Sequence, residues 1–503
     1  MMSRGLFDGK WGIVRGYPSG QAQNRFSPRQ SAASREVRVR CWLGRGPNKT
    51  IPRKMSLISG VAGFSKTMSA NKTQRMTDSQ VSRRDVVKTA GLLTAAGVAF
   101  PYVSRGADEN KLIRIGLVGA GGRGTGAADQ TLSVAGSNVK LVAVADAFAD
   151  KVSRAVTNLG NKHKEKVDVT PDRQFVGLDG YKKIFDHCDL VILATPPGFR
   201  PDMFAAAVKA GKHVFMEKPV CVDAAGAKTV LDAAKEADAK GLKVVVGLQR
   251  HYAGNYRETA KRIQDGMIGQ IISANVYWNG GPIWYRKREE GMTETMFQVH
   301  NWYHFCYLSG DHICEQHVHN LDVANWFLGE TPSSAFGIGG RQMRPADQPS
   351  EIYDHFGINY LYASGASVSS HCRQVPGGQG RVTEEFRGTK GFATPGKITN
   401  YKGETIWKYE GKNDNPYQVE HDELHDAIRK NTPLNNAYYG ATSSFTAALG
   451  RYAAYSGKEL KYDEVLKSGH RIFPESMDPN GPAPVKPNAD GSYTIPVARD
   501  YKM

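Results

Sequence analysis

The stretch Leu112–Ala128, LIRIGLVGAGGRGTGAA, decides how this chain of 503 residues builds its first domain. An apolar run from Ile113 to Val118 suits a buried strand, and it leads at once into Gly119, Gly121 and Gly124, the spacing G-x-G-x-x-G. Each glycine has its own task. Gly119 permits a tight turn, Gly121 lets the backbone approach a pyrophosphate, and Gly124 lets the following helix lie close on the strand. The N–H groups of that helix then meet the phosphate charge, so Gly122 and Arg123 belong to the same turn. Among 54 glycines the pattern alone carries little weight, but a second apolar run, LVAVAD, ends in Asp146, 22 residues beyond Gly124. An acid there can accept hydrogen bonds from the adenosine ribose and would repel a 2'-phosphate, which favours NAD over NADP. The plain alternative for Asp146 is a surface acid closing a strand.

DLVILATPP (189–197), HVFMEKPV (213–220) and KVVVGL (243–248) continue as buried strands, with FAAAVKAG and AKTVLDAAKEADAKG as intervening helices. The alternation predicts an α/β fold with a doubly wound parallel sheet. Ligands of such a sheet sit at the carboxyl ends of the strands, which brings the glycine turn, Asp146, Thr195, Pro196, Pro197, Glu217, Lys218 and Gln249 to one edge.

The strand ending in Glu217, Lys218 and Pro219, together with IGLVGAGGRG, the ATPP turn, VGLQRHYAGNY, EQHVHNLDVANWFLG and AALGRYAAYSGKELKYDEVL, resembles the Gfo/Idh/MocA oxidoreductases, the group of glucose-fructose oxidoreductase and inositol 2-dehydrogenase. The resemblance runs from residue 112 to about 467. It implies a Rossmann domain at 109–248 and an α+β domain at 249–467 with a large open, mostly antiparallel sheet that covers the nicotinamide end of the cofactor. It also implies a homo-oligomer, a dimer or tetramer, assembled through that sheet. The polar, Pro-rich residues 468–503 are expected to run as an extended arm across their own domain or a neighbouring subunit.

An ammonium at the end of a strand beside a nicotinamide can hydrogen-bond a reacting hydroxyl and lower its pKa, which supports a catalytic role for Lys218; the alternative is a solvated lysine before a proline turn. In GDHICEQHVHNLD (310–322), Glu315 and His319 are four apart, the spacing of one helical face, and Asp322 is three further on. The resemblance implies that these residues face the substrate, with His319 as general base and Glu315 binding a sugar hydroxyl or orienting the imidazole. The family acid is usually Asp, so Glu315 reaches one methylene further. Trp302, Tyr303 and His304, in the insertion EGMTETMFQVHNWYHF, and Trp284 and Arg286, in NGGPIWYRKR, are candidates to bind a sugar, and each could equally be core or rim. His300 and His304 are four apart, but there is no HExxH and no metal is expected.

The chain's net charge of +17 is concentrated in residues 1–75, which carry a net +13 and no apolar periodicity, so nucleic-acid binding is not expected. The segment VSRRDVVKTAGLLTAAGVAF (81–100) places Arg83 and Arg84 before a short apolar run, the order of a twin-arginine signal and too short to span a membrane. The signal spans 76–108, and translation from Met76 would leave residues 1–75 as a disordered basic leader or an artefact of the assigned start. The six cysteines form no CxxC pair and no disulfide framework.

A periplasmic or otherwise exported protein that partners the twin-arginine machinery can cross folded, with NAD already in place. The expected function is therefore hydride transfer between a tightly bound nicotinamide cofactor and a sugar or polyol hydroxyl, with the cofactor reset in each cycle. The alternative is an NAD-dependent glycoside hydrolase that uses transient oxidation, elimination and re-reduction. A non-catalytic sugar-binding protein is the third reading, and the presence of Lys218 and His319 argues against it.

Overall fold

The structure is a computed structural model that describes residues 111–502; the basic leader and the twin-arginine segment lie outside the described residues. Six parallel strands open it: β1 (Ile113–Val118), β2 (Val139–Asp146), β3 (Gln174–Val176), β4 (Leu190–Leu193), β5 (His213–Met216) and β6 (Val244–Val246), in the order β3-β2-β1-β4-β5-β6. Helices cover both faces, so β4 and β6 are buried at every residue and β1 at every residue but Arg114. The chain winds outward in one direction through β2 and β3 and in the other through β4, β5 and β6. The crevice at the carboxyl ends therefore opens between β1 and β4.

Nine strands form the second sheet: β7 (Ile271–Gly280), β8 (Pro332–Gly340), β9 (His355–Tyr362), β10 (Ser367–Gln374), β11 (Arg381–Gly388), β12 (Gly391–Thr394), β13 (Lys397–Asn400), β14 (Thr405–Lys408) and β15 (Leu460–Lys461). Their order is β14-β13-β12-β11-β7-β10-β9-β8-β15, and only the β7–β10 pair is parallel. The α/β fold expected from the sequence, a parallel Rossmann sheet followed by a mostly antiparallel one, is present. Along β9 buried residues alternate with less buried ones, so Phe356, Ile358, Tyr360 and Tyr362 enter the core, while Phe336, Ile338 and Leu361 lie on the open face, Ile338 at 73 % exposure.

Two helices join the halves. Ala437–Ser456 is buried nearly all round because it packs on the helix Ala224–Ala239 from one side and on β8 and β9 from the other. Gly450 is needed at that contact, since a Cβ there would fall 2.0 Å from the Tyr360 hydroxyl. The helix Pro416–Lys430 returns to the Rossmann half, where Thr131 Oγ1 and His421 Nδ1 share a 2.7 Å hydrogen bond and the His421 ring stacks on Phe215. The C-terminal arm lies on its own chain: Thr293, Thr295 and Gln298 donate to the carbonyls of Pro479, Gly481 and Val485, and Tyr493 Oη donates to Glu294. No described helix is long and apolar enough to cross a membrane. The five described cysteines are buried and free.

Candidate active site

A cleft of about 500 Å³ runs along the carboxyl ends of the parallel strands, between the two sheets. Its floor is the glycine turn. Gly119 takes φ +89°, which favours glycine, and a Cβ at Gly124 would fall 1.8 Å from the Gly119 carbonyl oxygen. Around Gly121 and Gly122 the space that a Cβ would enter is open, and both residues line the cleft. Among the described residues no side chain caps the helix Gly122–Leu132 at Gly121, so its first N–H groups remain for a ligand. This cradle at a helix N-terminus fits the pyrophosphate of NAD, which Gly121, Gly122 and the helix end would hold.

At the end of β2, Asp146 accepts hydrogen bonds from the Ala120 and Phe148 amides, at 2.7 and 3.0 Å, which fixes its carboxylate at the cleft wall. Burial raises its pKa, and Lys151 and the two amides oppose that rise. Arg123 pairs with Glu217, reaches Glu420 at 3.4 Å and lies 5.0 Å from the centre of the Tyr417 ring. Gln249 Nε2 donates to the Tyr417 hydroxyl at 3.1 Å. Arg200 donates to the carbonyls of Thr195 and Pro219 and so ties two strand-end turns together; burial lowers its pKa to about 10.

Lys218, Glu315 and His319 meet at the other end of the cleft. Lys218 Nζ donates to the Glu315 carbonyl at 2.6 Å and to its carboxylate at 3.1 Å. Behind them the buried Tyr303 hydroxyl accepts from Gln374 Nε2 at 2.9 Å, and burial and the hydrogen-bonded Glu315 carboxylate raise its pKa. The His319 ring stacks on Trp278 at 5.7 Å, and its Nδ1 has no partner among the described residues. Burial pulls the His319 pKa well below its usual value, with repulsion from Lys218, Arg250 and His317 in the same direction, so the imidazole is neutral near pH 7.

The cleft brings together the glycine turn with Arg123, then Asp146, Thr195, Pro196, Glu217, Lys218 and Gln249, and from the second half Trp284, Arg286, Trp302, Glu315 and His319. Four expected residues lie elsewhere. Pro197 opens a buried turn, Pro197–Phe199, that points it into the fold. Tyr303 stands behind Glu315, outside the cleft lining. His304 is buried with Nε2 on the Trp284 carbonyl at 2.8 Å. Asp322 is turned away from the cleft, because its carboxylate bonds His251 Nε2 and accepts from Ser443 Oγ, at 2.9 and 2.8 Å.

Glu315 and His319 do not share one helix. Glu315 ends Asp311–Glu315 and His319 lies in Val318–Leu328; the turn at Gln316 and His317 between them still delivers both to the cleft. His300 and His304 face different partners, Phe148 and Trp284, and among the described residues no set of three or more His, Cys, Asp or Glu side chains is gathered as for a metal.

Residues that sequence reading missed also line the cleft, among them Phe148, Lys151, Trp278, Gln316 and Tyr417. Phe148 and Lys151 follow Asp146 closely enough that its position could have pointed to them. Tyr417 arrives from a helix distant in sequence and carried no signal.

A family model described as an oxidoreductase family with an NAD-binding Rossmann fold matches residues 113–247, and one described as the GFO/IDH/MocA C-terminal domain matches residues 256–394. Together they span more than half of the chain. The chain is similar to an inositol 2-dehydrogenase of Rhizobium meliloti (strain 1021), 25% identical over 361 residues that cover 69% of this chain and 92% of that protein. It is also similar to a glycosyl hydrolase family 109 protein of Saccharopolyspora erythraea, 27% identical over 215 residues that cover 38% of this chain and 44% of that one. The solved structure of an aldose-aldose oxidoreductase from Caulobacter crescentus shares the fold, with a TM-score of 0.56 at 18% identity, covering 70% of this chain and all of that one.

Proposed function

The chain belongs to the Gfo/Idh/MocA family of NAD-binding oxidoreductases, and on that premise we propose that it moves hydride between NAD and the CH–OH carbon of a sugar or polyol. The observation that carries the reading is the meeting of Lys218, Glu315 and His319 at one end of a cleft whose other end is the glycine cradle. Similarity to an inositol 2-dehydrogenase supports a cyclic polyol or a sugar as the substrate class.

Bound NAD would supply a hydride acceptor at its nicotinamide ring. The ammonium of Lys218, held by the carbonyl and carboxylate of Glu315, donates to the reacting hydroxyl and favours its ionised form. His319, neutral because it is buried among cations, takes the hydroxyl proton on a ring nitrogen. With its extra methylene, Glu315 turns onto Lys218 and serves to orient that ammonium. Trp284 and Trp302 offer aromatic faces to the C–H side of a sugar ring from the cleft wall.

The twin-arginine segment supports export of the folded protein with NAD in place and, with it, a cycle that resets the cofactor. The apolar open face of the second sheet supports assembly as a dimer or tetramer. Similarity to a glycosyl hydrolase family 109 protein favours a second reading, in which transient oxidation permits loss of a glycosidic substituent before water addition and re-reduction.

Incubating NAD-loaded protein with myo-inositol, mixed sugars and glycosides separates these readings. A keto product with reduced nicotinamide, or a paired oxidised and reduced sugar, supports oxidoreduction. Release of free sugar without net oxidation supports the second reading. Failure to bind NAD sinks both.

A further inference from the structure

After β7 the chain leaves the nine-stranded sheet and crosses to the Rossmann half, and residues 281–305 form one wall of the cleft. The crossing ends beside Asp146. The His300 ring lies 5.0 Å from that of Phe148, two residues after Asp146, and Lys151 Nζ lies 4.3 Å from the Phe148 ring centre. Arg286 lines the same cleft as Asp146, Phe148 and Lys151. Its position is fixed by a reciprocal clamp, since the Arg286 amide donates to Asn301 Oδ1 at 2.8 Å while Asn301 Nδ2 donates to the Arg286 carbonyl at 2.9 Å. Arg286 Nη1 also donates to the His300 carbonyl at 2.7 Å, and its guanidinium lies 4.0 Å from the Trp284 ring centre.

In a Rossmann domain the acid at the end of the second strand marks the adenosine ribose. Arg286, read from sequence as a substrate candidate, therefore lines the cleft near its adenosine half, and His300, read as a metal candidate, packs on Phe148 there without lining the cleft itself. Between β7 and the helix Glu294–His300 the backbone forms no regular structure, and it is bounded by Gly281, with open space around it, and Gly291, at φ +74°. Glycines at the ends of an irregular segment suit a hinge. From behind, the C-terminal arm braces the helix through the carbonyls of Pro479, Gly481 and Val485.

We propose that the loop 281–293 is a gate over the adenosine half of the NAD site, that the Arg286–Asn301 clamp holds it shut against the helix Glu294–His300, which the His300–Phe148 contact seats on the Rossmann half, and that its opening sets the rate of NAD release. The proposal rests on the NAD-dependent reading of the cleft and extends it: a cofactor covered by both halves of the chain stays with the protein through repeated turnovers.

The test uses full-length protein loaded with NADH and follows the loss of nicotinamide fluorescence after mixing with excess NAD. Phe148→Ala and His300→Ala should each speed release about threefold to tenfold, the range for losing one aromatic pair. The double variant should release no faster than the faster single variant, because both changes remove the same contact. Asn301→Ala, which removes both bonds of the clamp to the Arg286 backbone, should speed release as well. Release at the wild-type rate in all three single variants, or effects that multiply in the double, would overturn the gate. If the alanine variants fail to fold, Phe148→Leu and His300→Gln carry the same expectations. Single-turnover oxidation of a polyol by the wild type is recorded alongside; its absence counts against the proposed reaction, whereas the release rates decide the gate.

Discussion

Two neighbouring glycines should respond to the same substitution in opposite ways. At Gly121 a methyl group meets nothing within 4 Å, and the backbone, at φ −71° and ψ −175°, suits any residue. Alanine is a poorer N-cap than glycine, but it also restricts the unfolded chain by about 0.4–1 kcal/mol, so Gly121→Ala should leave apo stability within about 1 kcal/mol of wild type. At Gly124 the methyl carbon would sit 1.8 Å from a backbone oxygen, and the helix must move. Overpacking of that kind costs about 1–3 kcal/mol, of which a gain of about 1 kcal/mol in helix propensity recovers part. Ligand response separates the two further. NAD at one hundred times its Kd stabilises wild type by about 2.7 kcal/mol. In Gly121→Ala the methyl occupies the pyrophosphate's path; a hundredfold weaker Kd would leave only about 0.4 kcal/mol. Differential scanning calorimetry with and without NAD reads both effects. A full NAD response in Gly121→Ala, or apo Gly124→Ala as stable as wild type, would refute the assignment of these glycines.

Burial lowers the pKa of His304 and His425 to about 4 and that of His317 to about 3, while the unfolded chain titrates near the ordinary value of about 6.5. Between these limits the unfolded state binds more protons, so stability is fully present above pH 6.5 and is lost as pH falls toward 4, by about 2 kcal/mol per histidine at pH 5; urea midpoints that are flat from pH 7 to 5 would contradict this. Because its pKa is lowered in the same way, His319 should keep kcat/KM for oxidation level down to below pH 6.5, and His319→Ala should lower it about a hundredfold to ten-thousandfold with NAD binding intact; an acid limb centred above pH 6.5 in the wild type would oppose this. Tyr493→Phe removes the 2.6 Å hydrogen bond to Glu294 and should cost about 1–2 kcal/mol in urea unfolding, and an unchanged midpoint would show that this contact does not fasten the arm.

The Rossmann half was legible because strands buried on both faces, such as VVV of β6, form unbroken apolar runs, and because parallel winding gathers their carboxyl ends whatever the intervening lengths. Spacing alone was a weaker guide in the second half. Glu315 and His319 reach one cleft although the helix breaks between them, so a turn did the work that a continuous helix was expected to do. Asp322 has helical spacing from His319 yet points away, because its partners His251 and Ser443 lie 71 and 121 positions off and no local pattern announces them. The path of the C-terminal arm was open for the same reason: three of its anchors are backbone carbonyls, which carry no residue signature. Arg286 could be read as basic and near aromatics, but which end of the cleft it serves depends on the clamp with Asn301.

The central claim is that Lys218 directs hydride transfer between bound NAD and a CH–OH carbon, and single-turnover absorbance at 340 nm tests it most directly. Protein loaded with NAD and mixed with myo-inositol or a panel of sugars should give a burst of reduced nicotinamide with at least one of them. Lys218→Met, with the same bound NAD, should give none. No burst with any CH–OH compound while NAD is bound, or an undiminished burst in Lys218→Met, would contradict the account.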